Sequence, residues 1–205
     1  MIKLLTIGLI SLASLNAHGA VFYTSEASFL TSAGSTTLES FENTPGGSST
    51  NMNFGTVGVS CTGTTYCPGF FGRSTSYGVT NGAYSVFFAT PDTITFTFSS
   101  AINSFGIDVT DLGTTGVTDL TLSTSNNASQ VLFSGYSAAT LNQLFAGVTD
   151  STPFTSVTFS ATASGDGIYF DSAQYATNSS IPEPMILSLM GIGLAGLRFS
   201  RRRKA

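Results

Sequence analysis

Between residues 20 and 180, the side chains that could do chemistry are ten carboxylates, two cysteines and one arginine. The only histidine of the chain, His18, lies before this stretch, and the stretch contains no lysine and no tryptophan. Catalysis by a histidine-activated serine or cysteine, Schiff-base chemistry on lysine and histidine-ligated zinc are therefore excluded there. Carboxylate-pair chemistry, as in glycoside hydrolysis, remains compatible with the composition.

Three aspartates in Gly-rich or turn-like positions illustrate what the acids are expected to do. Asp108 and Asp111 lie at the end of a predicted strand and in the turn after it, and Asp166 lies between two glycines. Aspartate tolerates the unusual backbone angles of tight turns and hydrogen-bonds to nearby backbone. A glycosidase needs two acids at a set separation in a cleft, and nothing in the sequence selects such a pair. We therefore predict that the protein is not an enzyme and keep a secreted hydrolase as the weakest alternative.

The charge of this stretch limits its partners. With one base against ten acids it carries a formal charge of −9, whereas the whole chain carries −4. An acidic domain of this kind repels nucleic acid and anionic lipid. Nucleic acid is therefore not an expected partner.

Cys61 and Cys67 are separated by five residues. In an oxidising compartment, two cysteines this close in sequence form a disulfide that closes a small loop or hairpin. Two thiolates without histidine make a poor zinc site, and a catalytic cysteine would lack a base. We predict one intramolecular disulfide.

Arg73, the only cation of the stretch, lies in a Gly-rich segment among loop aromatics. The apolar face of a sugar stacks on an aromatic ring, and tyrosine or phenylalanine can replace the missing tryptophan. An arginine beside such rings can hydrogen-bond a glycan or pair with an acidic sugar. Arg73 and Tyr77 are therefore candidate glycan-binding residues. The interpretation we prefer is that the rings cover an edge of the core and that Arg73 pairs with a carboxylate; the rings are Tyr66, Phe70, Phe71, Tyr77 and Tyr84.

Residues 1–19 have the parts of a secretory signal peptide in the usual order. Lys3 supplies the positive start, residues 4–15 supply the apolar run, and residues 17–19 offer the cleavage site. We predict export through the Sec machinery and cleavage before Ala20. An uncleaved anchor is the lesser alternative, because the run is short for a membrane span.

The middle of the chain consists of short segments that alternate between apolar and polar residues. In residues 93–98 the alternation places Ile94, Phe96 and Phe98 on one face. Such segments at intervals of about ten residues, separated by Gly, Asn, Asp or Pro, are typical of an all-β sandwich. We predict a single antiparallel β-sandwich domain over residues 20–177, with one short helix over residues 25–34. Its strands are predicted at 36–41, 54–61, 84–89, 93–98, 104–109, 120–123, 130–133, 144–148, 156–160 and 167–170.

The last 25 residues contain three signals in a fixed order. Pro182-Glu183-Pro184 interrupts any helix, residues 185–197 form an uncharged apolar run, and Arg201-Arg202-Arg203-Lys204 form a basic end. This order resembles the PEP-CTERM sorting signal. The resemblance implies recognition by an exosortase, a membrane-embedded transpeptidase-like protease of Gram-negative bacteria, in an exopolysaccharide or biofilm setting.

An ordinary C-terminal membrane anchor is the alternative interpretation of the tail. As a helix, residues 184–197 would span about 20 Å, against about 30 Å of hydrocarbon. This marginal length suits a processed signal better than a permanent anchor. We therefore assign residues 178–205 to a linker and a sorting signal with a short transmembrane helix and a basic tail.

The strand-rich middle also resembles the jelly-roll folds of galactose-binding-like and carbohydrate-binding modules that accompany such tails. This looser likeness rests on residues 37–42, 94–98, 105–109 and 167–171. It implies a structural Ca²⁺ held by one carboxylate from the first strand and one from the last, Glu42 and Asp171. Ca²⁺ takes about six to eight oxygen ligands, which an acidic domain can supply. The interpretation we prefer is that both side chains are polar strand ends bound to backbone N–H groups.

Taken together, these features predict an exported, non-enzymatic protein of the Gram-negative envelope or extracellular matrix, sorted and processed through its tail. The alternative is a carbohydrate-binding module that itself holds glycan. The expected partners are exosortase, the Sec machinery, exopolysaccharide and, before processing, the inner membrane through the C-terminal helix. No cofactor other than Ca²⁺ is expected.

Overall fold

A computed structural model describes residues 19–43, 51–67, 71–75, 77–139, 141–163 and 165–177. Except for Gly19, the predicted signal peptide lies outside these residues, as do the predicted linker and sorting signal. None of the helices in these ranges is long and apolar enough to cross a membrane. The predicted C-terminal apolar helix falls on undescribed residues and stays a prediction.

Most of the described chain is β-strand. The helix α1 spans Glu26–Ala33, close to its predicted position, and ends at Gly34, whose φ of 71° suits a residue without a side chain. The strands are β1 (Val21–Tyr23), β2 (Thr37–Glu39), β3 (Asn51–Asn53), β4 (Val57–Thr62), β5 (Gly72–Ser74), β6 (Ser85–Ala89), β7 (Thr93–Thr110), β8 (Thr118–Thr124), β9 (Ser129–Tyr136), β10 (Gln143–Ala161) and β11 (Gly167–Ala176).

All these strands belong to one antiparallel sheet that curls over on itself through its two longest members, β7 and β10. The start of β7 pairs with β4 and with the end of β10, which gives a first half-sheet in the order β3-β4-β7-β10-β8-β9. The end of β7 pairs with β11 and with the start of β10, which gives a second half-sheet in the order β5-β6-β11-β7-β10-β1. The predicted antiparallel all-β fold is confirmed in this form.

Aromatic rings fill the space between the two half-sheets. Phe96 of the first half-sheet lies with its ring centroid 5.6 Å from that of Phe170 of the second, and Phe159 lies 4.8 Å from Phe170. All three side chains are fully buried. Burial of one such ring stabilises the fold by about 1.5–3 kcal/mol. The alternation predicted for residues 93–98 is confirmed, because Ile94, Phe96 and Phe98 all face this core.

The helix α1 covers part of the outer face of the second half-sheet. Phe29 of the helix packs on Phe145, with ring centroids 5.4 Å apart. The sheet offers two glycines beneath this contact, Gly106 and Gly147. A Cβ on Gly106 would lie 2.5 Å from the Phe145 ring and 2.9 Å from the Phe29 ring, so the close approach of the helix depends on glycine there.

Candidate functional site

Asp92 shows how this acidic domain stabilises a buried carboxylate. The Asp92 side chain is only 4% exposed and accepts hydrogen bonds from the backbone N–H groups of Tyr66 at 2.5 Å, Cys67 at 2.6 Å and Thr65 at 3.3 Å. Burial raises the pKa of the Asp92 carboxyl, but the backbone N–H groups outweigh it and hold the pKa below its ordinary value. Backbone donors thus take the role that cations have in other proteins.

The turn held by Asp92 is also closed covalently. Cys61 and Cys67 form a disulfide with their Cα atoms 6.0 Å apart, so the predicted intramolecular disulfide is confirmed. Cys61 is the last buried residue of β4, and Cys67 packs against the core from the turn. Residues 62–67 are therefore fixed at both ends.

Asp171 of β11 holds a second loop, residues 77–84. Its Oδ2 accepts hydrogen bonds from the backbone N–H groups of Thr80 and Asn81, both at 2.7 Å, and its Oδ1 accepts one from Ser172 N–H at 2.6 Å. The side chain is fully buried. Burial raises the pKa of the Asp171 carboxyl, although the backbone donors oppose the shift.

Glu42 holds the far end of the same loop. Its Oε1 accepts hydrogen bonds from the backbone N–H groups of Ala83 at 2.8 Å and Tyr84 at 3.0 Å. The two candidate calcium ligands, Glu42 and Asp171, therefore each bind backbone N–H groups, as expected, but neither is a strand end, because Glu42 lies beyond β2 and Asp171 lies inside β11. In the described ranges no group of three or more His, Cys, Asp or Glu side chains is placed to hold a metal ion. The calcium site stays a prediction.

Asp108 of β7 stands directly opposite Asp171 on the outer face of the second half-sheet. Its Oδ2 accepts hydrogen bonds from the Thr80 hydroxyl at 2.6 Å and from the Gln143 amide at 3.4 Å. Burial raises the pKa of the Asp108 carboxyl, the Thr80 hydrogen bond opposes this, and the charge of Glu26 adds to the rise. Unlike Asp171, Asp108 is partly exposed.

Three rings next to this carboxylate pair form what we call the aromatic strip: Phe87 of β6, Tyr169 of β11 and Tyr77 of the loop. The Phe87 and Tyr169 centroids lie 5.3 Å apart, and the Tyr169 and Tyr77 centroids also lie 5.3 Å apart. Phe87 and Tyr169 are half-buried, and Tyr77 is 47% exposed. The strip is a continuous, partly exposed aromatic surface on the outer face of β6 and β11.

Polar groups border the strip on its β7 side. Thr110 pairs with Tyr169 across the strands and is only 4% exposed, and its hydroxyl has no hydrogen-bond partner among the described residues. Asp111 follows with a φ of 64°, and burial and the charge of Asp166 raise the pKa of its carboxyl. Burial, Asp111 and Tyr77 in turn raise the pKa of the Tyr169 hydroxyl. The Thr110 hydroxyl is thus buried beneath the strip, whereas the partly exposed Asp111 carboxylate can accept hydrogen bonds from a ligand beside the rings.

Arg73 lies apart from this arrangement. It occupies β5 opposite Val86, and its guanidinium carbon lies 3.4 Å from the centroid of the Tyr84 ring. The structure therefore brings Arg73 together with Tyr84 and brings Tyr77 together with Tyr169. Of the other predicted loop aromatics, Phe71 is buried in the core, the backbone N–H of Tyr66 donates a hydrogen bond to Asp92, and Phe70 lies outside the described residues.

Phe87 and Tyr169 are the two strip residues that the sequence did not single out, because only aromatic residues in loops were candidates for glycan binding. Both alternate with core residues, since Val86 and Phe88 flank Phe87 and Ile168 and Phe170 flank Tyr169. Adjacent residues of a strand point to opposite faces of the sheet. A large aromatic side chain on the outward positions of two strands was the signal that could have identified them.

Comparisons with known proteins give structural similarity only. No family model matches the sequence, and no curated protein matches it. A CBM29-2 carbohydrate-binding module complexed with mannohexaose is 12% identical, with 70% of this chain and 94% of that chain covered and a TM-score of 0.40. The K1 cleaved adhesin domain of Lys-gingipain from Porphyromonas gingivalis is 13% identical, with coverages of 71% and 100% and a TM-score of 0.42. Similarity at this level assigns neither family nor ligand.

Proposed function

We propose that this protein is an exported, non-catalytic glycan-binding protein and that the aromatic strip is its binding surface. The observation that carries the proposal is the row of three neighbouring rings, Phe87, Tyr169 and Tyr77, on an outward face. A sugar ring presents an apolar face that stacks on aromatic rings. Two steps of 5.3 Å give an extended row, which suits a chain of sugar units better than a single one.

The polar border of the strip supports the same ligand class. The partly exposed Asp111 carboxylate lies near Tyr169, and hydroxyl groups of a sugar donate to such acceptors. Carboxylates here favour neutral or amine-bearing glycans over acidic ones, because like charges repel. Arg73, which would favour an acidic sugar, stacks on Tyr84 instead.

The geometry of the carboxylate pair supports binding rather than hydrolysis. Asp171 is fully buried and receives three backbone N–H groups, two of them on Oδ2 and one on Oδ1. A catalytic acid or nucleophile has to contact the substrate, and Asp171 is enclosed by the loop that it holds. We therefore assign Asp171 a structural role in positioning the loop that carries Tyr77.

Export and sorting complete the proposal. The signal-peptide pattern of residues 1–19 supports Sec-dependent export, and the disulfide Cys61–Cys67 is compatible with an oxidising compartment. The order of Pro182-Glu183-Pro184, an apolar run and a basic end supports processing by an exosortase and delivery to the cell surface or matrix. In that setting, exopolysaccharide is the glycan that the strip would meet.

The test is a glycan array followed by affinity electrophoresis with mannohexaose, cellohexaose and xylohexaose. Replacing Tyr77 with Ala removes the exposed ring of the strip, and we expect affinity to fall about five- to tenfold, the equivalent of one stacking contact. Tyr77→Phe keeps the ring and should bind like the wild type. Val131→Ala, a change at a similarly exposed apolar residue (46%) of β9, is the control. The proposal is wrong if Tyr77→Ala binds as tightly as this control.

A further inference from the structure

The outer face of the first half-sheet carries rows of uncharged polar side chains. Because neighbouring strands are paired in register, one residue from each of six strands falls into a single row. Five of the six carry a hydroxyl and the sixth an amide. The first row consists of Asn51, Ser60, Thr95, Thr158, Ser123 and Ser129.

Two further rows flank the first, each two residues away along the strands. Over strands β3, β4, β7, β10 and β8 their members are uncharged, and all but one carry a hydroxyl or an amide; they are Thr62, Thr93, Ser160 and Thr121 on one side and Asn53, Gly58, Thr97 and Ser156 on the other. In β9 the apolar Val131 pairs with Thr121 and ends the polar row. Strand geometry places neighbours in a row about 4.8 Å apart and the rows about 7 Å apart. Side chains within the first row bond to one another, with 2.9 Å between the Thr95 and Thr158 hydroxyl oxygens.

The exception in these strands, Gly58, lines a groove. The groove has a volume of about 350 Å³, and its lining includes the polar Asn51, Asn53, Ser60 and Thr97 together with the apolar Met52, Val59 and Phe98. A Cβ on Gly58 would make only ordinary contacts, 3.8 Å from the Thr97 carbonyl oxygen and 3.9 Å from that of Met52. The missing side chain therefore leaves open space rather than relieving a clash.

We propose that this groove is a second glycan site, and that its ligand is a neutral glycan chain. A hydroxyl both donates and accepts hydrogen bonds, and an amide offers two donors and an acceptor. These are the complements of the hydroxyl groups that a neutral sugar presents. Since none of the row positions carries a charge, a charged ligand would gain no ion pair there.

The position of the groove gives the domain a further activity. The groove lies on the outer face of the first half-sheet and the aromatic strip on the outer face of the second, with the Phe96–Phe170 contact between them. Two sites that point away from each other cannot be occupied by one short glycan. This inference rests on the proposed function of the strip. If the strip also binds glycan, the domain links two glycan chains and acts as a cross-linker of a polysaccharide matrix.

The experiment uses the exported protein and two neutral polymers, hydroxyethyl cellulose and mannan. One polymer sample is immobilised, protein is captured on it, and recruitment of fluorescent polymer from solution is measured. Gly58→Tyr fills the groove, and Gly116→Tyr is the matched control, since Gly116 has no atom within 4 Å of its Cβ position. Gly58→Ala, which adds one methyl group, should behave like the wild type and shows that the strand accepts a side chain.

We expect Gly58→Tyr and Tyr77→Ala each to be captured yet to recruit about five- to tenfold less soluble polymer, and the double variant to be captured less than either single variant. The inference is overturned if Gly58→Tyr recruits as much polymer as Gly116→Tyr, or if Tyr77→Ala alone abolishes capture; both results leave the strip in place. If Gly58→Tyr alone abolishes capture and Tyr77→Ala has no effect, the groove is confirmed and the strip is wrong. Failure of the wild type to be captured by either polymer overturns the inference.

Discussion

Asp108 and Asp171 face each other across β7 and β11, and their Oδ2 atoms lie 2.6 and 3.3 Å from the hydroxyl oxygen of one residue, Thr80. Thr80 belongs to the loop that carries Tyr77, so hydrogen bonds to this loop connect the carboxylate pair with the aromatic strip. The loop is further fixed where Ser85 donates its hydroxyl to the Tyr77 carbonyl at 2.7 Å. We infer that the acids position the ring.

Asp171→Asn should destabilise the protein. Both oxygens of the carboxylate accept hydrogen bonds from backbone N–H groups. The side-chain NH₂ group of an asparagine would point at one or more of these N–H groups and could not accept from them. A buried donor left without an acceptor costs about 1–3 kcal/mol. Urea unfolding monitored by tyrosine fluorescence would measure this loss. Asp119→Asn is the control, because Asp119 is partly exposed and one of its oxygens accepts a single N–H from Gly135; equal losses in the two variants would contradict the assignment.

Asp108→Asn should change the pH dependence of stability instead. The folded-state pKa of Asp108 is raised, chiefly by burial, so the folded protein favours the protonated carboxyl. Its contribution to stability is therefore present below the ordinary aspartate pKa and is lost as the pH rises through the raised pKa. Asparagine does not ionise, so the variant should gain stability relative to the wild type as the pH rises above the ordinary aspartate pKa of about 4. A difference in unfolding free energy that does not vary with pH would contradict the raised pKa.

Two long strands show where sequence patterns were sufficient and where they failed. The alternation in residues 93–98 and 104–109 predicted the buried face correctly, but as two strands. The structure joins them in β7, because residues 99–103 contain no glycine or proline to break the chain. Segments 144–148 and 156–160 likewise join in β10, although Pro153 lies between them; the register shifts there instead of ending the strand. Local patterns define faces, whereas the length of a strand depends on its neighbours.

The candidate site, like the fold, could be predicted from the sequence only in part. Tyr77 could be proposed from its place in a Gly-rich loop, but its partner Tyr169 is 92 residues away along the chain. Thr80 meets Asp171 across a separation of 91 residues. Contacts of this range depend on how the sheet curls, which no local pattern encodes. The hydroxyl rows depend in the same way on the register of six strands.

Gly78→Ala should disrupt the strip. Gly78 has a φ of 67°, and a Cβ there would clash with the Tyr169 side chain and lie 2.5 Å from the Thr110 hydroxyl oxygen. Gly135→Ala is the matched control, because its φ of 61° also disfavours a side chain, while no atom lies within 4 Å of its Cβ position. We expect both variants to lose stability and only Gly78→Ala to lose glycan binding as well. Affinity electrophoresis beside thermal unfolding separates the two effects, and equal glycan binding by the two variants would contradict the role of the loop.

Replacing Pro182, Glu183 and Pro184 together with alanine should stop processing of the tail. The apolar run that follows is short for a permanent membrane span, so we expect it to hold the protein in the membrane only until the tail is processed. When processing fails, the intact tail should be kept. We expect wild-type protein recovered from the cell surface or medium to lack residues 1–19 and the basic end, and the variant to keep Arg201-Arg202-Arg203-Lys204 and to remain with the inner membrane. Intact-mass spectrometry of each cell fraction measures both. Ser179→Ala in the adjoining linker is the control, and a wild-type surface protein that still carries its basic end would show that the tail is an anchor.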